Sequence, residues 1–244
     1  MKRLIYVLCA GLMLSLLLNV KYELSSHLIR SKVLLMLPDK DAIVIKECQK
    51  VPEEHSRVES AWLNCLMKLN IHSDIVFYGD SHTRYSDFRQ FFPELSITNL
   101  GCNGDDVNDL IRRIEMLEQV HPRKIFFMGG INGSASTLIE TYRLKYDVLF
   151  TTIKKRIPDA KIYIESLLPL NPRAYDIFCS NERVVQINRV LSELAEKHNL
   201  VYIDLFSVYS KDGILPMDVT DDGIHLKLDC YDKWAEAIKP YVYE

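Results

Sequence analysis

The 244-residue chain lacks the charge excess and the short motifs that mark several large classes of protein. Its 30 Lys and Arg nearly balance 33 Asp and Glu, the formal net charge is −3, and no basic stripe is present. Nucleic-acid binding is therefore unsupported. Its six cysteines show no CxxC spacing, which argues against a zinc ribbon or a thioredoxin motif. The glycine-rich stretch at 129–133 has neither G-x-G-x-x-G spacing nor a Walker lysine, so it is a poor nucleotide site.

Three further absences narrow the class of enzyme. Glycine stands two residues before Ser81 but Thr83 stands two residues after it, so the nucleophile elbow of α/β-hydrolases is missing. Asp222 and His225 have no third residue at metal-ligand spacing, and we expect neither a metal nor a cofactor. There is no long apolar lid, which weakly disfavours a long-chain lipid substrate. No internal repeat or low-complexity tract occurs.

The N-terminal segment has the pattern of a membrane-targeting helix. Lys2 and Arg3 precede an uncharged apolar run over residues 4–20. The run is short for a transmembrane helix and no Ala-x-Ala site follows it, which favours an uncleaved signal anchor over a signal peptide. The positive flank predicts a cytoplasmic N-terminus and an extracytoplasmic remainder, periplasmic or secreted if the leader is cleaved. Residues 21–73 are interpreted as a stalk with a short strand at 42–45 and a lead-in helix at 54–69.

From residue 74 to residue 244, strand and helix patterns alternate as in a single α/β domain. This alternation predicts a parallel sheet covered by helices on both faces, a flavodoxin-like three-layer α/β/α sandwich with a five-stranded parallel sheet. The predicted strands are residues 75–78, 95–99, 124–128, 161–165 and 201–204, and the predicted helices are residues 85–92, 107–119, 138–156, 183–198 and 231–241.

Small or polar clusters follow the first three predicted strands, and a fourth cluster precedes the last helix. The carboxyl ends of parallel strands share one edge of the sheet, so clusters that are distant in sequence can converge on one crevice. The clusters are Gly-Asp-Ser at 79–81, residues 99–105, Gly-Gly-Ile-Asn-Gly at 129–133, and Asp-Asp-Gly-Ile-His at 221–225.

These clusters contain the groups that acyl transfer requires. Ser81 follows a strand and opens a helix, where backbone N–H groups favour developing negative charge. His225 is a candidate general base, and Asp222 precedes it by the three residues of one turn. Gly104 and Asn132 are candidate oxyanion donors. Taken singly, each residue also has a simpler interpretation: a helix cap for Ser81, a turn for Gly104, an Asx turn for Asn132 and a surface histidine for His225.

In this order and spacing, the four clusters resemble the four sequence blocks of the SGNH hydrolase, or GDSL esterase, family, over residues 74–244. The resemblance implies a flavodoxin-like fold and a serine-hydrolase activity without a cofactor. It also implies Ser81 as nucleophile, His225 as base and Asp222 as its orienting acid. The oxyanion hole would then comprise the Ser81 backbone, Gly104 and Asn132.

The chain departs from the family pattern at two positions. His82 replaces the usual Leu of the first block, and Gly133 stands where the third block often has Asp. A histidine at position 82 resembles GDSH variants, which include acyltransferases that act on polysaccharides. The acceptor of the acyl group, water or a sugar hydroxyl, is therefore open. Arg84, Asn103 and Arg173 are predicted to contact the substrate, and Asp105 is a further candidate for shaping the pocket.

The sequence thus predicts a serine esterase that removes a small acyl group, such as O-acetyl, from a carbohydrate. The alternatives on the same scaffold are a glycan O-acyltransferase and a lysophospholipase. A non-catalytic glycan-binding module is a third possibility; it predicts a crevice in which Ser81 and His225 are not within hydrogen-bond reach. The expected partners are an acylated substrate and a membrane, not nucleic acid; the oligomeric state and any disulfide pairing stay open.

Overall fold

The computed structural model describes residues 40–48, 65, 67–69, 71–135, 137–173 and 179–244. Within these ranges a five-stranded sheet has the order β2-β1-β3-β4-β5, and all its neighbouring strands are parallel. This order is that of flavodoxin-like folds, and it confirms the predicted sheet. The strands are β1 (Ile75–Gly79), β2 (Ile97–Gly101), β3 (Lys124–Met128), β4 (Lys161–Glu165) and β5 (Val201–Ile203).

Helices connect the strands in chain order, with two short 3-10 turns at Phe88–Gln90 and Leu228–Cys230. The α-helices within the described ranges are α1 (Lys40–Cys48), α2 (Ser81–Tyr85), α3 (Val107–Arg112), α4 (Ile114–Val120), α5 (Ile139–Arg156), α6 (Asn181–His198), α7 (Leu205–Tyr209) and α8 (Asp232–Tyr243).

Aromatic side chains on β3 and β4 place helices on both faces of the sheet. Successive strand residues point to opposite faces. Phe127 contacts Phe150 of α5 edge-on, with ring centroids 5.3 Å apart. Its neighbour Phe126 points to the other face and stacks on Tyr163 of β4 at 4.6 Å, and Tyr163 contacts Tyr241 of α8. The sheet is therefore the middle layer of three, with its large aromatic residues fully buried on both sides.

Two of the predicted elements near the first strand are wrong. Residues 42–45, predicted as a strand, lie inside α1, where Val44 and Cys48 pack four residues apart against the core. The helix predicted over 85–92 instead begins at Ser81, because the Asp80 side chain accepts a hydrogen bond from the His82 N–H and caps the new helix. It ends at Tyr85, and Asn99 binds the carbonyl oxygens of Thr83 and Ser86 with its side-chain amide.

Other predicted boundaries need smaller corrections. The second strand lies at Ile97–Gly101 rather than 95–99, in register with β1. The helix predicted over 107–119 is broken into α3 and α4 at Arg113. The Arg113 side chain is buried and binds two strand-end carbonyl groups, and its backbone, with φ −101° and ψ 18°, departs from helical geometry.

The predicted leader over residues 1–20 lies outside the described residues, as does most of the predicted helix over 54–69. Within the described part of the chain, no helix is both long and apolar enough to cross a membrane. The cysteines at positions 48, 65, 102, 179 and 230 are thiols and form no disulfide.

Candidate active site

The turn that carries Ser81 is fixed by close backbone packing. A Cβ at Gly79 would lie 1.8 Å from the carbonyl oxygen of Met128, so only glycine lets β1 approach β3 this closely. The Asp80 carboxylate is fully buried, and it accepts hydrogen bonds from the His82 N–H at 3.1 Å and the Gly130 N–H at 3.2 Å. Asp80 thus braces the turn and leaves Ser81 at the carboxyl edge of the sheet.

A chain of two hydrogen bonds joins Ser81, His225 and Asp222. Ser81 Oγ lies 2.9 Å from His225 Nε2, although 144 residues separate them in sequence. His225 Nδ1 lies 2.6 Å from Asp222 Oδ2. A carboxylate accepts from the Nδ1–H, which leaves the Nε2 lone pair facing the serine hydroxyl. The short Ser81–His225 distance contradicts the expectation for a non-catalytic glycan-binding module.

The Asp222 carboxylate is held by the backbone of its own loop. Its Oδ1 accepts the N–H groups of Ile224 at 2.9 Å and His225 at 2.8 Å. Partial burial works to raise the pKa of Asp222, but these bonds and the bond from His225 outweigh it and bring the pKa to about 2. Asp222 is therefore an anion at neutral pH, which is the state that orients and stabilises an imidazolium.

The two predicted oxyanion donors lie on loops that follow β2 and β3, the strands that flank β1. Gly104 is exposed and has φ +77°, a conformation that favours glycine. Asn132 Nδ2 donates a hydrogen bond to the Asp105 carbonyl at 2.9 Å. The Asn132 carbonyl in turn accepts a bond from the Tyr142 hydroxyl at 3.2 Å. The Asn132 amide is thus anchored beside the Gly104–Asp105 turn.

Arg113 was not predicted as part of the site, although it holds the ends of β1 and β2 together. Its guanidinium is buried and donates to Asp105 Oδ2 at 2.5 Å, to the Leu100 carbonyl at 2.6 Å and to the Gly79 carbonyl at 2.7 Å. Asp105, proposed as a pocket residue, is fully buried in this ion pair and therefore cannot contact substrate. An arginine in a helical pattern usually predicts an exposed side chain, so no sequence pattern indicated this role.

Two tyrosines of α5 support the loop after β3 and were also missed. The Tyr146 hydroxyl donates to the Gly129 carbonyl at 2.8 Å, and the Tyr142 hydroxyl donates to the Gly130 carbonyl at 2.7 Å. Gly130 has φ +124°, and a Cβ there would lie 1.9 Å from the Tyr146 hydroxyl oxygen. Their spacing of four residues places both hydroxyls on one helix face, a signal that the sequence did contain.

The residues predicted to contact the substrate have varied surroundings. Arg84 and Asn103 are half-buried, whereas Arg173 is exposed and lies beside residues 174–178, which are outside the described ranges. A contact of any of the three with substrate stays a prediction. Among the described residues, no cluster of three or more His, Cys, Asp or Glu side chains is placed to hold a metal ion.

An open surface groove borders the exposed side of His225 and Asp222. Tyr85 forms part of its wall, with its ring edge-on to the His225 ring at a centroid distance of 5.1 Å. The rest of the groove is lined by Asp221, Leu226, Lys227, Leu228 and Asp229. Of the groove residues, only those in the cluster at 221–225 were predicted to lie near the site.

A family comparison agrees with this geometry. Residues 76–233 match the model of the GDSL-like lipase/acylhydrolase family, which is well over half of the chain. The chain therefore belongs to this family, and it is an ester-hydrolysing enzyme.

The individual relatives share modest sequence identity with the chain. The chain is 27% identical over 177 residues to the platelet-activating factor acetylhydrolase IB subunit alpha2 of Rattus norvegicus, covering 70% of this chain and 76% of that protein. Among solved structures, that of a protein from Streptococcus pneumonia superposes on the chain with a TM-score of 0.69 and 24% sequence identity, covering 76% of this chain and 92% of that protein. An acetyl-xylooligosaccharide esterase variant from Geobacillus has a TM-score of 0.55 and 18% identity, over 70% and 94% of the two chains.

Proposed function

We propose that this chain is a serine esterase that removes a small acyl group, such as acetyl, from a carbohydrate through an acyl-enzyme intermediate. Ser81 is the nucleophile, His225 the general base and Asp222 the orienting acid. The single observation that carries the proposal is the pair of hydrogen bonds from Ser81 Oγ to His225 Nε2 at 2.9 Å and from His225 Nδ1 to Asp222 Oδ2 at 2.6 Å.

In the first half-reaction, Ser81 Oγ attacks the acyl carbonyl carbon while His225 Nε2 takes the hydroxyl proton. The Ser81 N–H, the Gly104 N–H and the Asn132 amide stabilise the tetrahedral oxyanion. The intermediate collapses when the bond to the sugar oxygen breaks and His225 gives its proton to that oxygen. The free sugar hydroxyl leaves and Ser81 is acylated.

In the second half-reaction, His225 removes a proton from water as the water oxygen attacks the acyl-enzyme carbonyl. The same donors hold the second oxyanion, and the Ser81 ester bond breaks as His225 returns the proton to Oγ. A carboxylic acid is released. Asp222 stays ionised throughout, as its pKa of about 2 requires, and stabilises each imidazolium.

Three observations support an acetylated carbohydrate as the substrate. The names of the rat relative and of the Geobacillus neighbour both describe removal of acetyl groups, and the second describes it on a sugar chain. The groove beside His225 is open rather than enclosed, which suits a bulky hydrophilic leaving group. Its wall contains Tyr85, Asp221 and Asp229, and such aromatic and carboxylate groups can contact the faces and hydroxyls of a sugar.

A second candidate is transfer of the acyl group to a glycan hydroxyl, which His82 favours through its likeness to GDSH acyltransferases. Cleavage of a lysophospholipid is the remaining alternative on this scaffold. From residues 4–20, we also propose an N-terminal membrane anchor with the catalytic domain outside the cytoplasm.

The test uses the purified full-length chain and a fluorophosphonate probe, followed by a short chromogenic ester and a panel of acetylated sugars. We expect the probe to label Ser81 and Ser81→Ala to abolish both labelling and hydrolysis. Ser192→Ala, which changes an exposed serine of α6, is the matched control and should retain both. Folded protein that hydrolyses the ester equally well without Ser81 would overturn the assignment. Faster loss of acetyl to an added glycan than to water would favour transfer.

A further inference from the structure

His82 is a buried histidine whose two ring nitrogens both face oxygen atoms. The side chain is 3% exposed. Nε2 lies 3.0 Å from the Ile224 carbonyl oxygen, and Nδ1 lies 3.3 Å from Asp80 Oδ1. Ile224 directly precedes His225, while Asp80 directly precedes Ser81. The ring of His82 therefore bridges the turn that carries the nucleophile and the loop that carries the base.

The hydrogen-bond partners of His82 indicate which protons it carries. A carbonyl oxygen can only accept, so Nε2 must bear a hydrogen. Both oxygens of Asp80 accept backbone N–H groups, from His82 and from Gly130. Oδ1 therefore faces the His82 ring as an acceptor, and a favourable contact with it requires a hydrogen on Nδ1 as well. The ring that satisfies both contacts is the imidazolium.

We propose that His82, as a buried imidazolium, is a positioning residue that ties the Asp222–His225 loop to the Ser81 turn. The proposal rests on the proposed function, since it concerns the alignment of Ser81 with His225. In the neutral ring one of the two bonds is lost. Loss of the Nε2 bond releases the Ile224 carbonyl on the loop that carries His225, and loss of the Nδ1 bond removes the contact that orients the ring toward that carbonyl. In either case the 2.9 Å contact between Ser81 and His225 is less well maintained.

The ionisable groups near His82 come from three segments of the chain. Asp80 lies on its own turn, and Asp222 lies on the loop that it binds. The centroid of the His225 ring is 5.3 Å from that of the His82 ring. Tyr231 directly precedes α8, and its hydroxyl donates a hydrogen bond to the His82 carbonyl at 2.8 Å. Burial works to lower the pKa of His82, but the bond and the negative charge of Asp80 outweigh it and raise the pKa above its usual value.

The raised pKa sets the direction of the pH dependence. A group whose pKa is higher in the folded state contributes its full stabilisation at pH values below its unfolded pKa. That stabilisation is lost as the pH rises through the folded-state pKa. Loss of the His82 proton should therefore reduce kcat on the alkaline side of the pH profile, whereas protonation of a general base limits activity on the acid side.

The first measurement is an NMR titration of the histidine ring nitrogens in the full-length protein. We expect the His82 ring to carry two protons at neutral pH and to lose one at a higher pH than an exposed histidine does. A His82 ring that carries a single proton at pH 6 would overturn the proposal, and this readout requires no substitution that might prevent folding.

The second measurement compares kcat and KM for a short ester across pH in three variants. His82→Leu, which cannot donate, should lower kcat roughly ten- to a hundredfold with KM unchanged. His82→Gln keeps a donor that can reach the Ile224 carbonyl but has no proton to lose. We expect it to recover part of kcat and to lack the alkaline decline.

The matched control is His198→Gln. His198 is a largely buried histidine whose Nε2 lies 2.6 Å from Asp147 Oδ1, between α5 and α6 and apart from the Ser81–His225–Asp222 group. It should leave the pH profile unchanged. Wild-type kcat in His82→Leu, or an unchanged alkaline decline in His82→Gln, would overturn the proposal. Activity that persists in Ser81→Ala would instead overturn the proposed function. The two failures can be told apart because the NMR readout of the His82 ring does not depend on activity.

Discussion

The side-chain amide of Asn132 donates a hydrogen bond to the main-chain carbonyl of Asp105 at 2.9 Å, so the loop after β3 is joined to the loop after β2. Asp105 is itself fixed by Arg113, which also binds the carbonyl at the end of β1. The donors proposed for the oxyanion thus belong to one network. A side-chain amide nitrogen carries two hydrogens, so Asn132 can keep this bond and still donate its second N–H to a substrate.

Asn132→Ala removes that donor and should lower kcat by about 10²- to 10³-fold with little change in KM, because the bond to the oxyanion forms only in the transition state. Steady-state kinetics with a short ester measure this. Asn132→Asp is the matched variant, and it should be at least as slow because an ionised carboxylate cannot donate. A fall confined to KM would show that Asn132 binds the ground state instead.

Two glycines of the site should respond very differently to alanine. At Gly79 a Cβ would meet a backbone carbonyl oxygen at 1.8 Å, so Gly79→Ala should cost at least about 3 kcal/mol of the free energy of unfolding. At Gly104 no atom lies within 4 Å of the added Cβ, and only the positive φ is unfavourable. Gly104→Ala should cost about 1 kcal/mol. Urea denaturation of both proteins checks the ranking, which equal losses would contradict.

Arg113→Met should destabilise the protein by roughly 3–5 kcal/mol, because it leaves the buried Asp105 carboxylate without its cation. Arg156→Met is the control, since Arg156 pairs with Glu118 at the surface and its side chain is 40% exposed. It should change the free energy of unfolding by at most about 0.5 kcal/mol. Similar values for the two substitutions would mean that the Arg113 network contributes little to stability.

Local pattern predicted the sheet, and the order of the four clusters suggested the five roles of the site, which stay predictions; neither indicated how the site is supported. The strand runs around Phe77 and Phe126 are apolar on both faces, and this pattern alone indicates a covered parallel sheet. In contrast, Arg113 and Asp105 become a buried pair only because β1 and β2 end side by side. The helix predicted to start at Tyr85 begins at Ser81 because capping by Asp80 outweighs the apolar periodicity that follows.

Asp222→Asn should reduce kcat by roughly 10²- to 10⁴-fold at neutral pH, because an amide does not stabilise the imidazolium as a carboxylate does. The low pKa of Asp222 also predicts an effect on stability. Its bonds to the loop contribute fully above the unfolded pKa of about 4 and are lost as the pH falls to about 2. The side chain is 43% exposed, so solvent screening keeps this contribution small.

Acid denaturation of wild type and Asp222→Asn, with kcat measured at neutral pH, tests both effects. The wild-type protein should lose slightly more stability between about pH 4 and about pH 2 than the variant does. A variant that retains wild-type kcat would contradict the role of Asp222 as orienting acid.

Glu165, at the end of β4, should make the protein less stable as the pH rises. The side chain is fully buried, its Oε1 accepts the Trp234 indole N–H at 2.7 Å, and its Oε2 has no partner among the described residues. Burial raises the pKa of Glu165 to about 8, against the smaller opposing effect of the indole bond. In the unfolded chain a glutamate side chain has a pKa of about 4.3.

Between these two values the folded protein holds a proton that the unfolded chain releases, so the free energy of unfolding falls from about pH 4.3 to about pH 8. Glu165→Gln keeps an acceptor for the indole N–H but cannot ionise, and it should remove most of this slope. Urea denaturation at a series of pH values measures the slope. Glu236→Gln, at a side chain that is 72% exposed, is the control and should follow the wild type. Parallel curves for wild type and Glu165→Gln would show that Glu165 is already ionised in the folded protein.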